Sequence, residues 1–188
     1  MKVREFDIVG VFILTPKRFE DERGYFCETY NQRICREHGI DYDFIQDNHS
    51  MSTKEGTVRG LHYQAAPHAQ TKLVRAVRGA IIDVVVDARV KSATFGQWIK
   101  AELSAENGCQ MLVPRGCLHG FATLTPNVEV SYKVDAHYDK DADGSIRWDD
   151  PELGIDWGLG SRTPVLSTKD AEAQSWRSFR EIAKISTI

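Results

Sequence analysis

The stretch "KLVRAVRGAIIDVVVDARV", residues 72–90, decides the fold. It is rich in β-branched residues and interrupted once, at Gly79. That pattern reads as two strands joined by a tight turn. In the first strand Arg75 and Arg78 sit among Ala76 and Val77, as on a strand with one solvated face. The second, "AIIDVVVD", reads as a core strand. Working outward, "FGQWIKAELS" (95–104), "CQMLVPRG" (109–116), "HGFATLT" (119–125) and "VEVSYKVDAHY" (128–138) follow. Each is bounded by Gly, Pro, Asn, Ser or Thr at intervals of roughly ten residues, the mark of an all-β sandwich or barrel.

Helical pattern is scarce. "NQRICREHG" (31–39) predicts a short helix closed by Gly39, and "STKDAEAQSWRSFREIAKI" (167–185) predicts a second, capped by Ser167. Strands in a block with helices at the edges predict a β-barrel with short peripheral helices in a single domain, 1–188. Within it the barrel is expected over about 42–140 and a helical tail over about 167–188. A parallel α/β sheet would need helices between the strands, and none are predicted there.

At 188 residues, 41% hydrophobic and 27% charged, the chain has the composition of an ordinary globular domain. Its formal charge of −3 gives no global attraction to nucleic acid or anionic membrane, so neither is expected as a partner. The front, "MKVREFDIVGVFILTP", carries Arg4, Glu5 and Asp7 and lacks the apolar core and cleavage site of a signal peptide. No stretch approaches the ~18 to 20 apolar residues that span a bilayer. Cys27, Cys35, Cys109 and Cys117 form no CxxC pair. Free thiols in a reducing cytoplasm are the expectation.

From Gly56 the chain reads Gly, five residues, His62, then Lys72, six residues, Gly79. Later come Gly108, five residues, Pro114-Arg115-Gly116, two residues, His119 and three residues to Thr123. This spacing resembles the two cupin motifs, G-x5-H-x-H-x3–4-E-x6-G and G-x5-P-x-G-x2-H-x3-N, whose His and Glu hold a metal inside a jelly-roll barrel. Here Gln64 stands at the second His position and Lys72 at the Glu position. An ammonium in the first shell of a dication opposes binding, so no metal is expected.

Longer pieces sharpen the resemblance. "FEDERGYFCETY" (19–30), "FIQDNHS" (44–50), "VRGLHYQ" (58–64), "LVPRGCLHGF" (112–121), "SYKVDAHY" (131–138), "IRWDDPELGIDW" (146–157) and "VLSTKDA" (165–171), with the 72–87 block, run in order. Together they resemble the signature blocks of the dTDP-4-dehydrorhamnose 3,5-epimerase family, over residues 1 to about 171. The resemblance implies a cupin-type jelly roll and a metal-independent, cofactor-free enzyme. It would invert C3 and C5 of a dTDP-4-keto-6-deoxy sugar. A family expectation of a homodimer comes with it, the strands over about 1–30 being exchanged between subunits. Arg115 and Cys117 depart from the family's commoner "PPGFAHGF".

A proton next to a ketone is weakly acidic, so its removal needs a placed base and a stabilised enolate oxygen; inversion needs an acid on the other face. The resemblance assigns the base to His62, the acid to Tyr132 and the enolate's positive charge to Lys72. Taken singly, each has a plainer reading: a structural strand His, a packing aromatic, a solvated lysine. Asp170 has two readings: the partner of His62, or the N3 residue of a capping box opened by Ser167. The resemblance also implies that His119 binds substrate and that Arg23, Arg59 and Lys169 hold the nucleotide or its phosphates. Glu28, Gln46, Asp47 and Asn48 would be polar contacts, and Phe19 and Tyr138 aromatics at the base. Asp143 falls where some members carry Glu. His68, in a Pro-containing loop, is read as non-catalytic. Three rivals stay open: an epimerase acting at one carbon only, a metal-dependent cupin oxygenase, and a non-catalytic sugar-nucleotide binding module.

Overall fold

The computed structural model describes residues 1–186; the last two residues of the expected helical tail lie outside the described residues. In chain order the elements are β1 (Lys2–Glu5), β2 (Phe12–Thr15), β3 (Arg18–Asp21), β4 (Gly24–Cys27), α1 (Gln32–Glu37), β5 (Gln46–Ser52), β6 (Val58–Gln64), β7 (Lys72–Arg78) and β8 (Ala80–Asp87). They continue with β9 (Trp98–Ser104), β10 (Gln110–Val113), β11 (Cys117–Thr123), β12 (Val128–Val134), β13 (Asp143–Ser145), α2 (Thr168–Ala171) and α3 (Trp176–Ser186).

A six-stranded sheet, β1-β2-β10-β7-β12-β5, faces a five-stranded one, β13-β6-β11-β8-β9. Their inner faces meet in one core: Val74, Ala76, Met111 and Val130 from the first pack with Ile81, Val85, Leu103 and Phe121 from the second. Period-two alternation puts Ile81 and Val85 on this face and Val84 and Val86 on the other, where Leu153, Trp157, Trp176 and Phe179 cover them. Burial on both faces is why "AIIDVVVD" reads as nearly continuous apolar sequence. Each fully buried Val or Leu contributes roughly 1.5–3 kcal/mol. The fold is the expected all-β jelly roll.

Two readings need correction. β2 pairs with β10 in the same chain (Leu14 opposite Gln110), so the barrel begins well before residue 42. Among the described residues only β3 and β4 stand apart, as a two-stranded hairpin. The tail is also not one helix. α2 stops at Ala171 because Gln174 turns aside to pair with Ile146, its carbonyl accepting from Arg147 N–H at 2.9 Å. Ser175 and Asp150 then start α3, Asp150 accepting from Trp176 N–H at 2.8 Å. Arg75 and Arg78 lie three apart because β7 carries an extra residue opposite Glu129–Val130, a bulge that resets the alternation. Among the described residues no helix is long and apolar enough to cross a membrane.

Candidate active site

β6 and β11 run antiparallel with His62 directly opposite His119, and the register slips between His119 and Phe121. The two backbones touch where each carries a glycine. A Cβ on Gly60 would lie 2.7 Å from the Gly120 Cα, and one on Gly120 would lie 2.8 Å from the Arg59 carbonyl oxygen. Gly60 also has φ +118°, which other residues rarely adopt. The seam holds both imidazoles at one end of the sandwich.

There the two sheets part around a cavity of about 150 Å³ lined by Ser50, Arg59, His62, Lys72, His119, Phe121 and Tyr132. Drug-sized ligands occupy ~300–1,000 Å³, so this space suits one small moiety with the rest of a ligand lying across the mouth. Its walls carry Arg59, Lys72 and two histidines but no carboxylate, which favours an anion. A larger cleft of about 240 Å³ between Tyr63 and Phe179 carries only Arg89 and Arg115 as charged lining and no histidine.

His62 Nε2 lies 2.6 Å from Asp170 Oδ1. Asp170 is 3% exposed. Both readings of this aspartate hold at once: Ser167 Oγ donates to its Oδ2 at 2.8 Å and accepts from its backbone N–H at 3.1 Å. The short helix α2 thus presents its N3 carboxylate to the imidazole. Burial raises the Asp170 pKa, but His62, Ser167 and the Gly60 N–H outweigh it and the net shift is downward. An ionised Asp170 keeps Nδ1 of His62 as the nitrogen free to work.

Lys72 opens β7 across the cavity from these strands. Burial drives its pKa down to about 8, against the pull of Asp143 and Asp83, with Lys169 adding to the fall. Tyr132, on β12, packs against the core from the opposite wall to His62. Burial raises its pKa and Asp143 reinforces this against Arg59, so the phenol keeps its proton. Arg59 is braced by Ser52 Oγ (3.1 Å) and the Met51 carbonyl (2.9 Å).

The other expected contacts divide into groups. Tyr138, Asp143 and Lys169 are together: Asp143 Oδ2 accepts from Tyr138 OH at 3.2 Å and pairs with Lys169 Nζ at 2.5 Å. On β5, Gln46 and Asn48 alternate with Ser50 on the half-buried face, and Gln46 Nε2 donates to Asn48 Oδ1 at 2.8 Å. Asp47 points the opposite way, to the outer face, where Lys133 holds it at 2.8 Å. Phe19, Arg23 and Glu28 are not brought to the cavity within this chain; they lie on or beside the hairpin, where Arg23 meets only Asp21. Gln64 is taken up structurally, donating to the His68 and His137 carbonyls and accepting from Asp139 N–H.

Two lining residues, Ser50 and Phe121, went unremarked in the sequence, as did Asp83. Ser50 was detectable as the period-two partner of Gln46 and Asn48. Asp83 interrupts an apolar strand, and an inward carboxylate there needs a partner. That partner is His119, whose Nε2 lies 2.8 Å from Asp83 Oδ1.

A sequence profile described as dTDP-4-dehydrorhamnose 3,5-epimerase matches residues 5–178. The chain belongs to this family. A curated member, dTDP-4-dehydrorhamnose 3,5-epimerase of Sinorhizobium fredii (strain NGR234), is 47% identical over 93% of this chain and 89% of its own length. The crystal structure of the Bacillus anthracis (strain Ames) epimerase with TDP and PPi bound is 46% identical, with a TM-score of 0.90 over 93% of this chain and 98% of that one. The Legionella pneumophila dTDP-6-deoxy-D-glucose-3,5-epimerase in complex with dTDP-4-keto-L-rhamnose is 41% identical, with a TM-score of 0.88 over 93% and 92%. The family's cupin-like jelly roll is therefore also this chain's fold.

Proposed function

We propose that the protein is a dTDP-4-dehydrorhamnose 3,5-epimerase, acting on dTDP-4-keto-6-deoxy-D-glucose without a metal. One observation carries the reading: a His–Asp pair and a half-buried, protonated phenol enter one cavity that also carries Arg59 and Lys72, from opposite sheets.

His62 Nδ1 removes the proton from a carbon flanking the C4 ketone. The C–H electron pair becomes the enolate double bond, and the carbonyl pair moves onto oxygen. Lys72 Nζ and the His119 ring meet that negative charge. The Tyr132 phenol then delivers a proton to the opposite face, and the enolate collapses to the inverted ketone. Solvent returns the proton to the tyrosinate and takes the one on His62; the second carbon follows by the same steps. Asp170 holds the His62 ring and balances the imidazolium. Arg59 and Lys169 grip the diphosphate, with Tyr138 against the base and Gln46 and Asn48 as polar contacts.

The hairpin residues Phe19, Arg23 and Glu28 complete the nucleotide end in a homodimer, supplied by the neighbouring subunit. Phe19 is 52% exposed and Phe26 67%, an apolar display that a partner would cover. The free, half-buried or buried cysteines fit a cytoplasmic location.

The test is proton NMR in D₂O with dTDP-4-keto-6-deoxyglucose. The expected outcome is deuterium at both C3 and C5 with the L-configured product. Exchange at one carbon alone would make it a single-site epimerase, and no exchange would end the reading. Tyr132→Phe should exchange without inverting at least one carbon; unchanged product would show that another group delivers the proton.

A further inference from the structure

The strand β8 carries two acids among apolar residues, Asp83 and Asp87. Asp87 is fully engaged, accepting from Arg89, Ser92 and Thr94 side chains at 2.5–2.9 Å. Asp83 is not. It is 0% exposed, its Oδ1 meets His119 Nε2, and its Oδ2 is buried with no hydrogen-bond partner. A buried carboxylate oxygen left unpaired is unfavourable, and neither the turn at Gly79 nor the packing of β8 needs an acid there. The charge must serve its neighbours.

Those neighbours are the cavity. His119 faces Asp83 from β11, and Lys72 lies within its electrostatic reach from β7. His62 and Arg59 on β6 and Tyr132 on β12 line the same space. Asp143 on β13 and Lys169 on α2 act on Lys72 from the mouth. On β9 the residue opposite Asp83 is Ala101, which contributes no charge. Asp83 is thus a wholly buried carboxylate beside a wall that carries Arg59, Lys72 and two histidines.

We propose that Asp83 is a positioning residue for the epimerisation: it anchors His119 by Nε2, leaving Nδ1 as the ring's free nitrogen at the cavity wall, and is the buried counter-charge that keeps the Lys72 ammonium in place. The inference rests on the functional reading above. It gives the two histidines different supports. His62 is backed by a carboxylate that Ser167 and the Gly60 N–H also hold, whereas His119 is backed by one that is otherwise bare. Asp83 thus acts on both enolate-facing groups, the His119 ring and the Lys72 ammonium. The pull of Asp83 on Lys72 opposes the burial that brings the lysine to about 8. Removing that charge makes the ammonium release its proton at lower pH.

The decisive experiment compares Asp83→Asn, close in shape but uncharged, with the wild type for kcat, KM and thermal stability between pH 6 and 10. The expected result is a kcat lower by roughly 10- to 100-fold with KM little changed, and a basic limb of the kcat profile moved to lower pH. A folded variant with wild-type kcat and an unmoved limb would overturn the proposal, leaving Asp83 a packing residue. If Asp83→Asn does not fold, ¹⁵N-histidine NMR of the wild type decides instead. His119 must carry a proton on Nε2, donated to the carboxylate; an unprotonated Nε2 would reverse the hydrogen bond and sink the idea. An inactive wild type in the same assay would remove the epimerase reading, while the histidine spectrum is read independently of it.

Discussion

The cavity and the β3–β4 hairpin are built on opposite principles. In the cavity three of the polar side chains are braced by fixed neighbours: Arg59 by Ser52 and Met51, His62 by Asp170, His119 by Asp83. On the hairpin, Arg23 is 84% exposed and paired only with Asp21, two residues away, and Phe26 is 67% exposed. Chemistry needs groups held still before substrate arrives, and one chain supplies that rigidity. Nucleotide binding tolerates groups that order on contact, so those can sit on an arm shared with another subunit.

The sharpest way to break this contrast is at the cavity. His62→Asn should fold normally and lose ~10²- to 10⁴-fold in kcat, with deuterium uptake gone at both carbons. Near-normal exchange in a folded variant would remove His62 from the mechanism. Lys72→Met should cost ~10²- to 10³-fold in kcat while leaving the protein as stable at pH 7 or more so. The sign follows from linkage. A lysine at about 8 in the fold, against 10.5 unfolded, binds fewer protons folded than unfolded between those values. Wild-type stability therefore rises as pH climbs through that window, by at most about 3 kcal/mol, and the Lys72→Met protein should not show the rise. Urea titrations at several pH values measure it.

On the hairpin the effect should be smaller and of another kind. Arg23→Ala should raise KM by roughly 10-fold, the scale of one charge-assisted phosphate contact, with kcat little changed. Verified heterodimers of His62→Ala and Arg23→Ala subunits should turn over with the wild-type KM, because one of their two sites then has both residues intact. Heterodimers that keep the raised KM of the Arg23→Ala parent would place each site within one chain. The smallest effect is expected at Asp47, which faces outward: Asp47→Ala should alter kcat/KM by no more than about twofold, since exposed ion pairs contribute ~0.2–1 kcal/mol.

Much of this was legible in the sequence, and what was not has identifiable causes. The strand pair around Gly79 and the short helix ahead of Gly39 follow from local rules, and both stand in the structure. The break after Ala171 does not, because it depends on Gln174 finding Ile146, a contact remote in sequence. Asp170 could not be resolved between cap and partner because it is both. Asp83 passed as part of a core strand because its meaning lies in a residue 36 positions on. The resemblance puts Asp47 with Gln46 and Asn48 as polar contacts, whereas the strand sorts these neighbours onto opposite faces.

The glycine contact between β6 and β11 acts as a ruler. Because Gly60 and Gly120 meet backbone to backbone, the spacing of the two histidines is fixed by main chain rather than by side-chain choice. Any side chain at either glycine would move both imidazoles together, misaligning two functions at a single step. Variation that retunes the substrate while sparing the reaction must therefore come from elsewhere: β5, the loop around Tyr138, and the arm. A library confined to those segments should yield altered sugars or bases, and one aimed at the seam should yield only loss.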